Sequence, residues 1–291
     1  MRKYIPILLF FTFLFNGSSG AVTSTSMLTA KSWLVADSEG KIISSENIDA
    51  VRSIASVTKL ITAIAVLDSH APLDKPLNIK AKVTRKKKTK EVSTPYDNST
   101  RRQLIELAIV RSDNHAARLL CETYPGGYEE CIRAMNRKML NLGMLNSQVF
   151  DPTGLDDRNV STARDLIKLA QAAVDYPEIV AASRLSQIKI KINKRWFQGR
   201  NTNPLIGDNH EIQVSKTGWT TRSGGCIVML MDTNHGRRVI VVLGSRSIKT
   251  RIPEAEFISQ IDETQASPVP PESPEETMFR FGNLFWRKSK D

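Results

Sequence analysis

The sequence is poor in the residues that metal and redox sites require. Among 291 residues it has 3 cysteines and 4 histidines, which are scattered and never fall at the paired spacing of a metal site. We therefore expect neither a metal nor another cofactor. The cysteines cannot all pair, because their number is odd. Cys121 and Cys131 flank neighbouring predicted helices and could form a bridge, whereas Cys226 lies in an apolar predicted strand, where we expect a buried and inert thiol.

Acidic residues are also fewer than basic ones. The chain has 30 Asp and Glu and 41 Lys and Arg, which gives a net charge of +11. Much of the excess falls in one basic cluster, made of Lys80, Lys82, Arg85, Lys86, Lys87, Lys88 and Lys90. No aromatic residues alternate with these cations, so the cluster does not indicate nucleic-acid binding. We interpret it as a solvated loop or hairpin, with attraction to an anionic polymer or lipid surface as the alternative.

Long apolar runs are missing as well. The run at residues 5–15 follows a basic start and precedes small residues up to Ala21, which is typical of a secretory signal peptide and short for a membrane span. We predict a signal peptide over residues 1–21 and a periplasmic protein, with an uncleaved anchor as the alternative. Residues 264–291 are predicted to be a disordered Pro- and Glu-rich tail, whose basic-aromatic end either frays or makes a peripheral membrane contact.

The segments between the two ends change character along the chain. Residues 32–44 predict an early β-hairpin, residues 101–175 a block of helices, and the residues after 177 strands of period two at 187–192, 211–216, 225–232 and 238–243. A final helix is predicted at 251–261. This order implies an α+β fold, in which both chain ends build one antiparallel sheet and the helices form an inserted lobe. We predict a single domain over residues 22–263, with its site in the cleft between sheet and helices.

The strongest candidate for chemistry is a serine followed one helical turn later by a lysine. Ser56 and Lys59 open a predicted helix with an apolar run at 60–67, and positions i and i+3 share a helical face. A serine hydroxyl needs a neighbouring base to become a nucleophile, and a buried lysine with a lowered pKa can be that base. The same spacing at 38–41 falls in a turn and at 186–189 in a strand. Taken alone, the pattern fits a helix-capping serine equally well.

Two further motifs follow in order. Ser112-Asp113-Asn114 interrupts the helical block, and Lys216-Thr217-Gly218 ends a predicted strand. Ser-x-x-Lys, Ser-Asp-Asn and Lys-Thr-Gly together are the signature of penicillin-binding proteins and class A β-lactamases. Because all three motifs agree in order and in predicted context, they favour Ser56 as a nucleophile over Ser56 as a plain cap.

The residue types suit acyl transfer. Ser56 would attack a carbonyl and form an acyl-enzyme, and Lys59 would accept its proton. Ser112 could relay a proton to the departing amine. Asn114 could bind the substrate amide or hold Lys59, and we interpret Asp113 as structural.

The Lys-Thr-Gly strand would bind the substrate. Lys216 and the hydroxyl of Thr217 could hold a substrate carboxylate, and Gly218 would let the substrate backbone approach the strand edge closely. The backbone N–H groups of Ser56 and Trp219 would form the oxyanion hole.

With these residues the chain resembles the serine D-alanyl-D-alanine peptidases, the low-molecular-mass penicillin-binding proteins, and within them the endopeptidase branch most. The likeness runs from about Trp33 to Leu243 and includes the segments 54–60, 124–128, 152–155, 159–166, 200–203 and 216–220. It implies a DD-peptidase fold, stem peptides of peptidoglycan as the substrate, and cleavage of D,D cross-links. It also implies that β-lactam antibiotics acylate Ser56.

Other functions remain open at this point. A D-alanyl-D-alanine carboxypeptidase would use the same residues and differ only in the amine that leaves. A class A β-lactamase would need a glutamate that hydrolyses the acyl-enzyme, and the loop at 151–154 offers no clear equivalent. A non-catalytic penicillin sensor or cell-wall binder is disfavoured because every catalytic motif is intact.

Overall fold

The computed structural model describes residues 28–85, 88–207 and 211–262, and of residues 81–93 it describes the backbone alone. The predicted signal peptide and the predicted C-terminal tail therefore lie outside the described residues. The limits of the domain, 22–263, stay a prediction. Within the described part, no helix combines the length and the apolar character that a membrane crossing needs.

The strands are β1 Ser32–Asp37, β2 Ile42–Glu46, β3 Arg52–Ser53, β4 Lys80–Arg85, β5 Lys88–Ser93, β6 Val160–Ser161, β7 Gln187–Ile192, β8 Arg195–Arg200, β9 Glu211–Thr220, β10 Gly224–Thr233 and β11 Gly236–Ser245. Five of them form the main sheet, in the order β2-β1-β11-β10-β9 and antiparallel throughout. The sheet thus joins the first strands of the domain to the last, as the sequence predicts. Strand β9 lies at its edge.

Both faces of the main sheet are covered. Along β1, Leu34 and Ala36 join the larger apolar core on one face, while Trp33 and Val35 join a smaller core on the other. Side chains alternate between the faces of a strand, so the near-continuous apolar sequence of β1 serves two cores at once. The larger core lies between the sheet and the helical lobe, which positions the cleft.

The helices are α1 Thr58–Asp68, α2 Arg101–Val110, α3 Asn114–Glu122, α4 Gly127–Asn141, α5 Ala163–Ala173, α6 Pro177–Arg184 and α7 Arg251–Ser259. Helices α1 to α6 lie between the early and the late strands in the chain, and α7 packs on β10 and β11 as the predicted final helix. The predicted α+β class and its inserted helical lobe are confirmed.

Two sequence predictions about local structure need correction. Helix α6 was not expected, because the strand pattern was predicted to begin directly after Pro177; the proline instead occupies the first turn of α6. Strand β9 continues to Thr220, so Lys-Thr-Gly lies inside the strand and not at its end.

The small hairpins lie outside the main sheet. Strands β4 and β5 pair with each other, as do β7 and β8, while β3 pairs with β6. Five residues of the basic cluster lie on β4 and β5, namely Lys80, Lys82, Arg85, Lys88 and Lys90, whereas Lys86 and Lys87 lie outside the described residues. Among the side chains of these two strands, only that of Lys80 is described.

A disulfide links two neighbouring helices of the helical lobe. Cys121 at the end of α3 is bonded to Cys131 in α4, with their Cα atoms 5.2 Å apart. The bridge that the sequence left open is therefore present. Cys226 is a free, buried cysteine in β10, as predicted, and burial raises the pKa of its thiol.

Reduction of the Cys121–Cys131 bond should lower the free energy of unfolding by about 2–3 kcal/mol, because the bond closes a loop of about ten residues in the unfolded chain. Denaturant titrations of oxidised and reduced protein measure the difference. The variant Cys121→Ala/Cys131→Ala is the control, since reductant should not alter its stability. Equal unfolding free energies for the oxidised and reduced parent would contradict the prediction.

Candidate active site

Ser56 lies in a 3-10 turn, Ala55–Val57, that leads directly into α1. Ala55 is fully buried and holds a left-handed backbone conformation with φ of +46°. A residue with a Cβ adopts this conformation only at a cost, which the surrounding structure must offset. The hydroxyl of Thr58 donates to the Ala55 carbonyl at 2.8 Å and holds the turn. The nucleophile candidate is therefore placed by a strained but well-anchored backbone.

The side chain of Lys59 is fully buried and its Nζ lies among oxygens from three parts of the chain. It is 2.8 Å from Ser56 Oγ, 2.7 Å from Asn114 Oδ1 and 2.6 Å from the carbonyl oxygen of Thr153. The amide and carbonyl oxygens can only accept, so they use two N–H bonds of the amine. A neutral amine then keeps its lone pair for the third neighbour, the Ser56 hydroxyl. This arrangement suits a base that takes the serine proton.

Burial lowers the pKa of Lys59 to about 7, and the carboxylates of Asp151 and Asp113 oppose the shift. A buried ammonium loses its hydration, which favours the neutral form. Near neutral pH a large fraction of Lys59 is therefore uncharged and able to accept a proton. This pKa suits the predicted role of Lys59 as the base that accepts the serine proton.

The Thr153 carbonyl reaches Lys59 because a tight loop at residues 150–159 presents it. The Asp151 carboxylate accepts from the backbone N–H groups of Thr153 and Gly154, each at 3.0 Å. The fully buried Asn159 ties this loop to α1, since its Nδ2 contacts Thr58 Oγ1 at 3.2 Å and the Asp151 carbonyl at 2.8 Å. Sequence reasoning did not assign this loop a role toward Lys59, although it lay within the resembling segments.

The Ser-Asp-Asn motif forms the turn between α2 and α3. Ser112 has a left-handed backbone with φ of +56°, and Asp113 is the N-cap of α3, accepting from the N–H groups of His115 and Ala116. The hydroxyl of Tyr96 donates to the other oxygen of Asp113 at 2.9 Å. Asp113 is thus structural, as predicted, and it orients the neighbouring Asn114 toward Lys59.

The Lys-Thr-Gly motif runs along the edge strand β9. Lys216 is buried and donates to the Thr217 carbonyl at 2.9 Å, while Thr217 Oγ1 lies 2.7 Å from Thr202 Oγ1. Burial, followed by the charges of Lys59 and Arg251, places the pKa of Lys216 well below its usual value. Trp219, next along the strand, is 38% exposed.

Two glycines let the loop and the strand approach the Ser56 turn. A Cβ on Gly154 would lie 1.9 Å from the Ala55 carbonyl oxygen, and one on Gly218 would lie 2.9 Å from the Ser56 nitrogen. Contacts of this length are not sterically allowed, so both positions need glycine. The Ser56 N–H therefore lies between the 150–159 loop and the β9 edge, where a developing oxyanion could be held.

Arg251 is the residue at this site that sequence reasoning missed. It begins α7 on the far face of the sheet, and its Nη1 donates to the Gly218 carbonyl at 2.7 Å. It is mostly buried, and burial lowers the pKa of its guanidinium. Its distance from the motifs in the sequence left no local signal, and only the packing of α7 on β10 and β11 brings it here.

The structure thus brings most of the predicted residues together. Ser56, Lys59 and Asn114 are joined by direct hydrogen bonds, and Gly218 contacts the Ser56 turn. Ser112 precedes Asn114 by two residues in the same turn. A hydroxyl that faces a buried amine beside the edge strand of the sheet is the arrangement of a serine enzyme of acyl transfer.

The comparisons with known proteins agree with this class. The family model of D-alanyl-D-alanine carboxypeptidase matches residues 19–247. The chain belongs to this family and is a serine-type D-Ala-D-Ala peptidase. The resemblance predicted from the motifs and the predicted enzyme class are confirmed.

Individual relatives extend over most of the chain. A D-alanyl-D-alanine endopeptidase of Escherichia coli is 38% identical over 235 residues, which cover 79% of this chain and 76% of the relative. An enzyme of the same name from Pseudomonas aeruginosa is 38% identical and covers 84% and 80%. Among solved structures, a penicillin-binding protein of Listeria monocytogenes with cefotaxime bound has a TM-score of 0.67 and 26% identity, over 80% of this chain and 96% of that one.

The rate of acylation by labelled penicillin should rise about tenfold per pH unit below about pH 7 and level off above it, because Lys59 must be neutral to accept the Ser56 proton. Stopped-time labelling from about pH 5 to about pH 9 measures the profile. The Lys59→Arg variant, whose side chain stays charged, should lose at least about a hundredfold in rate. A flat profile in the parent would contradict the prediction, because it would show that the protonation state of Lys59 does not control the rate.

Replacing Asn159 with alanine should lower the free energy of unfolding by about 2–4 kcal/mol, since buried partners lose their hydrogen bonds. Acylation should slow as well, because the loop no longer holds the Thr153 carbonyl against Lys59. Denaturant titration and penicillin labelling measure the two effects. Asn136→Ala is the matched control: Asn136 bonds Val149 before the loop begins, so it should cost stability with a smaller effect on labelling.

Proposed function

We propose that this protein is a serine D-alanyl-D-alanine endopeptidase that hydrolyses D,D cross-links of peptidoglycan through an acyl-enzyme on Ser56. The observation that carries the proposal is the contact between Ser56 Oγ and the amine of Lys59, whose pKa is about 7, beside the Lys-Thr-Gly edge. Both 38%-identical relatives reported above bear the endopeptidase name.

The first step is attack of Ser56 Oγ on the carbonyl carbon of the D-alanyl bond. The serine proton passes to Lys59 Nζ, and the carbonyl oxygen gains the negative charge, which the Ser56 N–H and, in the predicted oxyanion hole, the Trp219 N–H would stabilise. The amine of the neighbouring stem then leaves with the proton that Lys59 took up, for which Ser112 is the proposed relay. Water next attacks the ester and gives a proton to the neutral Lys59, which passes it to Ser56 Oγ as the carboxylate product leaves.

Substrate recognition would use the Lys-Thr-Gly edge of the cleft. The Lys216 side chain and the Thr217 hydroxyl would hold a substrate carboxylate by hydrogen bonds, while Arg251 holds the strand from the far face through the Gly218 carbonyl. Because β9 is the edge strand of the main sheet, an extended peptide can add to it by main-chain hydrogen bonds. β-Lactams would enter the same place and acylate Ser56.

The second candidate is a carboxypeptidase, in which free D-alanine leaves in place of the amine of a neighbouring stem. The family description favours it, whereas the two relatives at 38% identity favour the endopeptidase. Both reactions use one set of catalytic residues.

A β-lactamase is disfavoured by the loop that precedes β6. Its carboxylates already have partners: Asp151 binds the backbone of its own loop, Asp156 binds Arg158, and Asp157 accepts from Thr220. A carboxylate that activates a deacylating water would have to be free to do so.

We further propose that the protein acts in the periplasm, to which the predicted signal peptide would export it. Its partners there would be peptidoglycan stem peptides, and β-lactam antibiotics would be its inhibitors. A peripheral membrane contact through the C-terminal tail remains part of the same proposal.

Digestion of purified cross-linked muropeptide dimers and of pentapeptide monomers, followed by chromatography, tests the function. We expect dimers to be converted to monomers and Ser56→Ala protein to form neither product nor labelled acyl-enzyme. Release of D-alanine from monomers with dimers left intact would replace the endopeptidase with the carboxypeptidase. Penicillin labelling of the Ser56→Ala protein would refute the nucleophile.

A further inference from the structure

The β7–β8 hairpin has two faces of opposite character. Ile188, Ile192 and Phe197 point into the larger core and are buried. Ile190 packs against the same core, and the residues that alternate with these point outward, as alternation along paired strands requires. The inner face therefore explains why the hairpin is held in place, but it does not explain the composition of the outer face.

The outer face and the tip carry cations around one exposed aromatic ring. Lys189, Lys191 and Trp196 lie on the outer face, and Lys194 and Arg195 at the tip, and all five are exposed. We call these five side chains the hairpin surface. Residues 187–200 include no Asp or Glu. Within the described residues, none of the four cations of the hairpin surface is paired with a carboxylate.

Trp196 is the unusual member of the hairpin surface. Its side chain is 54% exposed, although an indole has a large apolar area to bury. The Nζ of Lys189 lies 4.9 Å from its ring centroid and that of Lys191 lies 5.7 Å away, so the indole is held by cation–π contacts and not by a core. An exposed, positioned tryptophan with charged neighbours is the composition of a binding hot spot.

A groove of about 660 Å³ lies beside the tip of the hairpin. Its lining residues are Thr94, Pro95, Asn98, Ile192, Asn193, Lys194 and Arg195. Asn98 Nδ2 donates to Asn193 Oδ1 at 2.9 Å and joins the hairpin to the 94–98 segment. The tip thus offers both donors for an anion and a concave space for the group that carries it.

The hairpin surface adjoins the catalytic turn. The Phe197 ring lies 4.7 Å from the ring of Tyr96, whose hydroxyl donates to Asp113. Strand β8 then leads to Thr202, which contacts Thr217. Trp196 precedes Thr202 by six residues, so the hairpin surface lies within roughly 20 Å of the Lys-Thr-Gly edge. A polymer that occupies the cleft can reach both places.

The chemistry of the hairpin surface specifies the occupant. Lysine and arginine donors bind carboxylates, and the indole face packs on sugar rings or aliphatic chains. Cross-linked peptidoglycan, the substrate of the proposed function, presents stem-peptide carboxylates along a chain of sugars. A single substrate molecule therefore extends beyond the one bond that the cleft holds.

We propose that the hairpin surface is a second binding site, an exosite, for carboxylate-bearing segments of the cross-linked polymer whose D,D bond lies in the cleft. This inference rests on the proposed function for the identity of the polymer. The exosite would add affinity for the intact wall without touching the reacting atoms, since two linked contacts bind more tightly than one.

Sedimentation with purified cell-wall sacculi tests the exosite in the full chain. In a Ser56→Ala background, the Lys189→Gln/Lys191→Gln/Trp196→Ala variant should bind sacculi about tenfold or more weakly than its parent. Binding by the parent should fall as salt rises, because exposed charges are screened. The matched control, Lys41→Gln/Lys249→Gln/Phe257→Ala, removes the same charges and an exposed aromatic elsewhere and should sediment like the parent.

With Ser56 restored, the hairpin variant should hydrolyse intact sacculi more slowly than the parent. Its rates with soluble dimers and with labelled penicillin should equal those of the parent, because these small substrates contact only the cleft. Sedimentation equal to that of the parent would overturn the exosite. The exosite would also be overturned if the hairpin variant bound sacculi like its parent but bound anionic phospholipid vesicles more weakly, and the surface would then be assigned to a membrane. If the parent binds sacculi through the hairpin but cleaves no dimers, the exosite stands and the proposed endopeptidase function fails.

Discussion

The structure depends on one costly arrangement, the burial of the Lys59 amine inside the lobe. Removing an ammonium from water is unfavourable, and the protein resolves this by letting the group become neutral and by giving it oxygen acceptors. Those acceptors are the side chain of Asn114 and the carbonyl of Thr153 in the 150–159 loop, so both segments must lie close to the amine. What would be a penalty in an ordinary core is here the property that makes the serine reactive.

Strain and close packing concentrate around the same point. Ala55 and Ser112 both hold left-handed backbone conformations, and both neighbour residues of the site. Gly154 and Gly218 bring two further segments against the Ser56 turn from opposite parts of the chain. Such positions persist only when the surrounding contacts determine them. The capping carboxylate of Asp113 and the buried amide of Asn159 provide those contacts.

The cleft and the hairpin surface divide the work of recognition. In the proposed function, the cleft binds one carboxylate and one peptide edge at β9. The hairpin is anchored to the same catalytic turn through Phe197 and Tyr96 but faces solvent with cations and an indole. A protein that acts on a continuous network benefits from this division, because affinity for the network can change without altering the geometry of the reacting atoms.

The amino-acid pattern was enough to predict the fold class, the order of most helices and strands, the three motifs and the family. Ser56 and Lys59 could be found because they are three residues apart at a helix start, and the strands because side chains alternate along them. Three other features became visible in the folded protein: the Thr153 carbonyl and Asn114 meet Lys59, Arg251 reaches Gly218 from the far face of the sheet, and Cys121 is bonded to Cys131. Helix α6 was missed because a proline that begins a helix and one that ends it look alike in a short segment. Contacts between distant segments depend on how the sheet and the helices pack together. A local sequence pattern reports the secondary structure of one segment and does not specify which distant segment packs against it.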